Sequence, residues 1–402
     1  MMRKGFVLTL IIVLLCLTAC SINGPEHHAA VSDGITTENV QCGDLILNQG
    51  VIGVDSKGVY SVKNGVVYIS LLEDGNFVST ALCSKTGCSH RDSTCNAFIG
   101  SYQHVTYYRN MVYGISDNGD GSMELVELNC FDGTRRTVCV WKPQKDESYR
   151  FCSGIFFDGN LYMSYDNWNF NRSEDWVMTD CVHLESGEKY NLFADQDVSS
   201  HTVIGGFGNT LICEERYLTE KPKTYEEWIQ GGGTDDGYEE YMNGIGSNVE
   251  LVKYDIKDMA KTVIADQDRN KYIDYTDLYL KIENHELIYA ADNEIHIYSL
   301  ETGEDRMLAK KSNIRNYHLY DNKANIIVIE NGKVQNITVD VNTLAELEIP
   351  HTKDNAVDFW TMYEFKDYCV GMLFDVAANC NRAVMLKKED YYTGKYENAV
   401  GL

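Results

Sequence analysis

The chain has 402 residues, 44% of them hydrophobic, and carries 60 acidic against 35 basic side chains, a formal net charge of −25. So acidic a surface repels nucleic-acid phosphates and anionic headgroups, which excludes nucleic acid as a partner. Twenty-seven tyrosines and 32 glycines beside four prolines suit many short strands joined by tight turns.

Residues 1–19 read as an export signal. Arg3 and Lys4 form a positive start, and Phe6 to Leu17 form an apolar run short for a membrane span that ends in small residues. Leu17-Thr18-Ala19-Cys20 resembles the bacterial lipobox, which implies diacylglyceryl transfer to the Cys20 thiol and cleavage before it. Two acyl chains hold a protein on a bilayer where one holds it marginally. An ordinary cleaved signal with Cys20 incidental is the alternative. Residues 20–43 are expected to be a lipidated tether, polar around Gly24, Pro25, His27 and His28. Residues 44–402 are expected to form one soluble domain on the outer face of the membrane.

The sharpest local signal in that domain is residues 83–95, where Cys83, Cys88, His90 and Cys95 form C-x4-C-x-H-x4-C. Three thiolates and one imidazole can complete the tetrahedral sphere that structural zinc prefers, with Gly87 permitting the turn. The spacing departs from the usual C-x2-C knuckle. One disulfide plus a spare thiol, as export favours, stays open beside it. Beyond Cys20 there are eleven cysteines. An odd number cannot all pair, and setting three aside for a metal leaves eight that can.

Two aromatic-rich stretches follow. Tyr165, Trp168, Phe170 and Trp176 are expected in one loop. Tyr225, Trp228, Tyr238 and Tyr241 fall in a polar insertion, 219–248, where Thr224 and Glu227 could cap a short helix. Trp168, Trp176, Tyr225 and Trp228 could offer a platform to a sugar or peptide, or fold back and be buried. Farther on, Asp266, Asp268, Asn270, Asp274 and Asp277 match part of a calcium-loop template, with Ile273 at its apolar position. Lys271 stands where the loop needs Gly and Asp277 where it needs Glu, so a solvated acidic turn is preferred to calcium.

A repeat sets the architecture. Turns at Asn64-Gly65, Arg109-Asn110, Asp158-Gly159, Gly208-Asn209, Asn284-His285, Asn322-Lys323 and Lys366-Asp367 lie roughly 46, 49, 50, 75, 38 and 44 residues apart. The one long interval contains the insertion. Segments Val182–Glu188, Tyr254–Ile256 and His296–Glu304 resemble one another, each a strand entering a turn. Ala194-Asp195-Gln196-Asp197 recurs as Ala265-Asp266-Gln267-Asp268, where one unit hands over to the next. The fold class is therefore all-β, a β-propeller of seven blades, with six blades plus an N-terminal segment as the variant and paired β-sandwiches as the competitor.

The Cys/His segment with Cys95-Asn96-Ala97, the repeats, the signal and the ending Leu386–Tyr392 together resemble uncharacterised propeller-like lipoproteins of anaerobic gut bacteria. That resemblance implies fold and address and brings no activity.

Catalytic signatures are missing from the sequence: there is no G-x-S-x-G, Walker, H-E-x-x-H or dinucleotide motif. His104, His201, Asp277, His318 and Asp358 are expected near the starts of inner strands, and no catalytic residue is assigned. The reading is a binding or scaffolding module of the cell envelope, membrane-held through its lipid, that recognises an extracellular protein, peptide or glycan. An envelope hydrolase or lyase with a site at the channel mouth is the alternative.

Overall fold

A computed structural model describes residues 42–44, 46–47 and 50–402 apart from 101, 103, 146, 170–175, 194–199, 219, 221–222, 269–279, 282–284, 292, 331–332, 351–358 and 376–379. Two short strands come first, β1 (Cys42–Asp44) and β2 (Ile46–Leu47). Seven four-stranded antiparallel sheets follow in sequence order. Blade I holds β3 (Gly50–Val54), β4 (Gly58–Lys63), β5 (Val66–Glu73) and β6 (Asn76–Ala81). Blade II holds β7 (His104–Tyr108), β8 (Met111–Asp117), β9 (Met123–Leu128) and β10 (Arg135–Trp141). Blade III holds β11 (Glu147–Phe157), β12 (Asn160–Asn169), β13 (Trp176–His183) and β14 (Lys189–Asn191). Blade IV holds β15 (Ser200–Phe207) and β16 (Thr210–Leu218), then helices α1 (Tyr225–Gln230) and α2 (Asp235–Gly244), then β17 (Ser247–Asp255) and β18 (Lys261–Asp268).

Blade V holds β19 (Leu280–Lys281), β20 (Glu286–Ala291), β21 (Glu294–Ser299) and β22 (Asp305–Lys310). Blade VI holds β23 (Ile314–Tyr320), β24 (Lys323–Glu330), β25 (Lys333–Asp340) and β26 (Glu346–Ile349). Blade VII holds β27 (Phe359–Phe365), β28 (Tyr368–Asp375) and β29 (Cys380–Lys387), then helix α3 (Lys388–Tyr392) and β30 (Val400–Gly401). The chain is thus a seven-bladed β-propeller, as the repeat predicts.

Turn chemistry explains the repeat. The two-residue turns Asn64-Gly65, Arg109-Asn110, Asp158-Gly159 and Asp321-Asn322 have positive φ at both residues, the geometry whose twist matches a hairpin and which Asn, Asp and Gly tolerate best. Two of the expected positions shift. The turn of blade VI is Asp321-Asn322, one residue earlier than predicted. In blade I, Asn64-Gly65 joins the second and third strands, because its first turn is Asp55-Ser56-Lys57, where Asp55 Oδ1 caps the backbone N–H of Lys57 and Gly58.

The third and fourth strands of blades II to VI share another turn, seen in the pairs Gly133 to Asn129, Gly187 to His183, Met259 to Asp255, Gly303 to Ser299 and Leu344 to Asp340, where the first N–H donates to the second carbonyl. Each donor residue has positive φ, and two of the five, Met259 and Leu344, are not glycine. Of the Ala-Asp-Gln-Asp pair, 194–197 lies outside the described residues, and Ala265–Asp268 ends β18, the last strand of its blade.

Both faces of a blade pack against neighbours, so inner strands such as β3 and β20 are buried along nearly their whole length instead of alternating. Among the described residues no strand is shared between the first and last blades. The ring closes through side chains, with Val51 and Val59 of blade I packed on Phe365, Tyr368, Val370 and Met385 of blade VII.

Antiparallel connectivity sends alternate connections to opposite ends of the ring. At one end every connection is six residues or fewer until α3 in the last blade. The longest described connections leave from the other end: the Cys/His segment after β6 and the helical insertion after β16. The first is the turn end of the ring and the second its loop end.

Candidate functional site

The loop-end connection from blade I to blade II, residues 82–103, brings Cys83, Cys88, His90 and Cys95 together, with their ligand atoms all within 4.8 Å of one another. His90 Nδ1 lies 3.4 Å from Cys95 Sγ. Metal–ligand distances of zinc imply edges of about 3.6 Å between nitrogen and sulfur and about 3.8 Å between sulfurs in a tetrahedron, so the four groups need small movements to enclose one ion.

Local chemistry builds the cluster. Gly87 takes φ of +70°, which lets the chain reverse between Cys83 and Cys88, and His90 itself sits at φ of 53°, a left-handed conformation that histidine adopts more readily than most residues. Asp92 Oδ1 accepts the N–H and hydroxyl of Thr94 at 2.9 and 2.7 Å, and Cys95 N–H donates to the Asp92 carbonyl, fixing the turn that returns Cys95. Lys85 Nζ donates to the Thr94 carbonyl across the lobe.

Burial raises the Cys83 thiol, but the backbone N–H groups of Lys85 and Asn96 and the thiols of Cys95 and Cys88 outweigh it and hold Cys83 below its usual range. Burial dominates at Cys95, which is pushed up to about 12 with help from the neighbouring Cys88 and Cys83. Of these two thiols, Cys83 is the one whose surroundings favour the thiolate.

The lobe ties two blades together. Val67 N–H donates to the Ala97 carbonyl at 3.0 Å and Ile99 N–H to the Gly65 carbonyl at 2.8 Å, both in blade I. Toward blade II, Asn96 Nδ2 and Ser84 Oγ donate to the Phe131 carbonyl, and Arg135 donates to the Phe98 carbonyl. Cys88, Cys95, Ala97 and Ile99 belong to one apolar cluster with Val66, Val67, Leu128 and Cys130. The sequence does not flag Cys130, whose thiol is buried under the lobe.

The thiols of Cys83, Cys88 and Cys95 are not joined to one another, and those of Cys130, Cys139, Cys181 and Cys213 are buried without a disulfide.

The insertion is the second elaboration of the loop end. Thr224 caps α1 as expected: its Oγ accepts the Glu227 N–H at 3.2 Å, and the Glu227 carboxylate accepts the Thr224 N–H at 2.9 Å. Trp228 stacks on Tyr241 with centroids 4.7 Å apart, Tyr225 meets Tyr238 edge-on at 5.3 Å, and Trp228 Nε1 donates to the Thr234 carbonyl. These rings form the insertion's own small core, with Tyr225 still 38% exposed. Trp168 and Trp176, expected in a loop, lie on β12 and β13, opposite Ser148 and Asn167, because the aromatic run continues the strands up to 170–175. Only their backbone is described.

The histidines read as channel-mouth candidates are not brought together. His104 starts β7 against Phe151, where burial lowers it to about 4. His201 Nε2 meets Glu215 Oε1 at 3.1 Å in the wall between blades III and IV, stacked on Phe193. His318 lies toward the turn end of β23, also lowered to about 4 by burial. The three occupy blades II, IV and VI. Asp277 and Asp358 lie outside the described residues. So do Asn270, Ile273 and Asp274 of the calcium template, while Asp266 and Asp268 belong to β18.

Sequence reasoning missed Glu215, which is fully buried. It receives His201, Lys261 at 2.6 Å, Tyr217 and Tyr254. Burial opposes its ionisation, but these donors hold its carboxyl at about 2. One glutamate in a strand gives no sequence signal of such a role.

No protein-family model and no curated protein matches the chain. Among solved structures it is similar to Porphyromonas gingivalis dipeptidyl peptidase 4, at 9% identity and a TM-score of 0.53, over 86% of this chain and 59% of that one. It is also similar to a puromycin-hydrolyzing peptidase of Mycobacterium tuberculosis, at 11% identity and 0.49, over 88% and 53%. A third is an uncharacterized protein of Listeria monocytogenes, at 13% and 0.44, over 86% and 95%. At such identities the likeness is one of fold. The chain spans between about half and three fifths of the two peptidases' own length.

Proposed function

We propose that this chain is a lipid-tethered binding or scaffolding module of the cell envelope, which recognises an extracellular protein, peptide or glycan through its loop end and holds one structural zinc in the Cys83, Cys88, His90, Cys95 lobe. The observation that carries the reading is the asymmetry of the ring. Among the described residues, the Cys/His lobe and the α1–α2 hairpin both leave the same end of the ring, and loops on a rigid scaffold are the usual place for recognition. Four protein ligands would leave a metal no open position, which favours a structural ion over a catalytic one. Among the described residues, His104, His201 and His318 are dispersed over three blades, which favours the binding reading over a channel-mouth hydrolase.

The test is a screen of the full chain against glycan and unstructured-peptide arrays, repeated with α1–α2 replaced by a two-residue turn. Ligands lost on replacing the hairpin, but kept when Asp132 and Ser186 at the turn end are changed to Ala, support loop-end recognition. Ligands indifferent to the loop end, or array members that are cleaved, contradict it.

A further inference from the structure

We propose that the chain is threaded through its own ring so that a lipid at Cys20 holds the turn end toward the bilayer and presents the loop end, with the Cys/His lobe and the helical hairpin, to the aqueous phase. The orientation rests on the tether reading above; the threading is independent of it. β1 and β2 are not part of any blade's four strands. They add to the free inner edges of two first strands: β1 pairs with β11 and β2 with β7.

The register fixes the direction of travel. Cys42 lies opposite Phe157, which immediately precedes the turn Asp158-Gly159, and Asp44 lies opposite Ile155, two residues farther from that turn. Ile46 then lies opposite Val105 and Leu47 opposite His104, the first residue of β7 and its loop-end extremity. Gly50 begins blade I from the loop end. The chain therefore enters beside the axis at the turn end, climbs the inner wall from blade III to blade II, and joins the ring at the loop end. Reversing this path would require parallel pairing with both strands. Among the described residues the other five first strands carry no such fifth strand.

An attachment near the centre of one end sets orientation by geometry. A coil as long as the 22 residues from Cys20 to Cys42 has a root-mean-square reach of roughly 25 Å. To bring the loop end to the bilayer it must pass around a rim four strands deep and then along the height of a blade, on the order of 40 Å. The turn end is also acidic, with Asp132, Asp158, Glu185 and Glu301 on its turns, so it would stand off anionic headgroups instead of docking on them.

Two measurements on the full chain test this. In Phe157→Cys, native Cys42 should form a disulfide with the new thiol under mild oxidation, identified by peptide mass; Asp44→Cys with Ile155→Cys is the second variant if the first folds poorly. For orientation, a fluorescent amino acid is placed at Ser186 or at Gln230 in the acylated chain on phosphatidylcholine vesicles with an acceptor dye on a fraction of the headgroups. Energy transfer is expected to be several-fold more efficient from 186 than from 230, with the protein co-floating. Absence of both disulfides, or transfer from 230 equal to or above that from 186, overturns the proposal. A chain that forms the disulfide and does not float overturns the tether, and the orientation with it, while the threading stands.

Discussion

His90 Nδ1 stands 3.4 Å from Cys95 Sγ, closing a cluster of three thiols and an imidazole on a loop that joins two blades. Cys95 is 2% exposed and Cys88 nearly as buried, so these two ligands also belong to the apolar floor of the lobe. Cys88→Ser should therefore loosen residues 82–99 first. Hydrogen exchange at Ala97 and Ile99 should rise at least tenfold while the strands of blades IV to VI keep wild-type protection. Uniform loss of protection around the ring would show that the lobe is not a separate unit.

Glu215 gives a pH prediction whose sign follows from its carboxyl being held at about 2 against an ordinary glutamate value of 4.5. A group with a depressed folded value contributes stability that is complete above 4.5 and lost as pH falls through about 2. Glu215→Gln should cost about 2–4 kcal/mol at pH 7, because it leaves Lys261 and His201 without their buried partner. The gap from wild type should narrow steadily as denaturation is repeated from pH 4.5 downward. A gap that is constant with pH would mean that the charge of Glu215 is not what the network uses.

Leu344 occupies the position filled by glycine in the matching turns of blades II, III and V, with φ of 59° and 47% of its surface exposed. A left-handed conformation costs a branched residue about 1–2 kcal/mol, offset in part by the extra chain entropy of glycine. Leu344→Gly should leave the fold unchanged and raise stability by about 0.5–1 kcal/mol in denaturant titration. A loss of stability would mean that the Leu344 side chain contributes packing its exposure does not suggest.

Ring closure rests on packing between Val51, Val59, Val370 and Met385 without a shared strand. Val370→Ala should cost about 2–3 kcal/mol and raise exchange in blades I and VII before the others. Equal effects in all blades would place closure elsewhere.

Much of the fold was legible in the sequence because the hairpin turns demand positive φ, and Asn, Asp and Gly mark where it occurs. Where the first turn of blade I is instead built by Asp55 capping, the repeat is read one strand late. The Cys/His lobe was legible for a similar reason, since four soft ligands within thirteen residues can converge without help from the rest of the chain. Trp168 and Trp176 were misplaced because Asn and Asp beside aromatic residues suggest a loop, whereas backbone pairing carries β12 and β13 to the edge of the loop end. The passage of Cys42–Leu47 along the inner wall was not legible. Six residues of mixed character show no period, and their place is set by free strand edges in blades II and III, distant in sequence.

The most direct test of the metal-held lobe is metal analysis of the full chain purified without oxygen, with alkylatable thiols counted before and after a strong chelator. The account predicts one zinc per chain, with three further thiols, those of Cys83, Cys88 and Cys95, becoming reactive as the zinc is removed. A metal-free chain in which these three cysteines react from the outset, or in which two of them are joined, would contradict it.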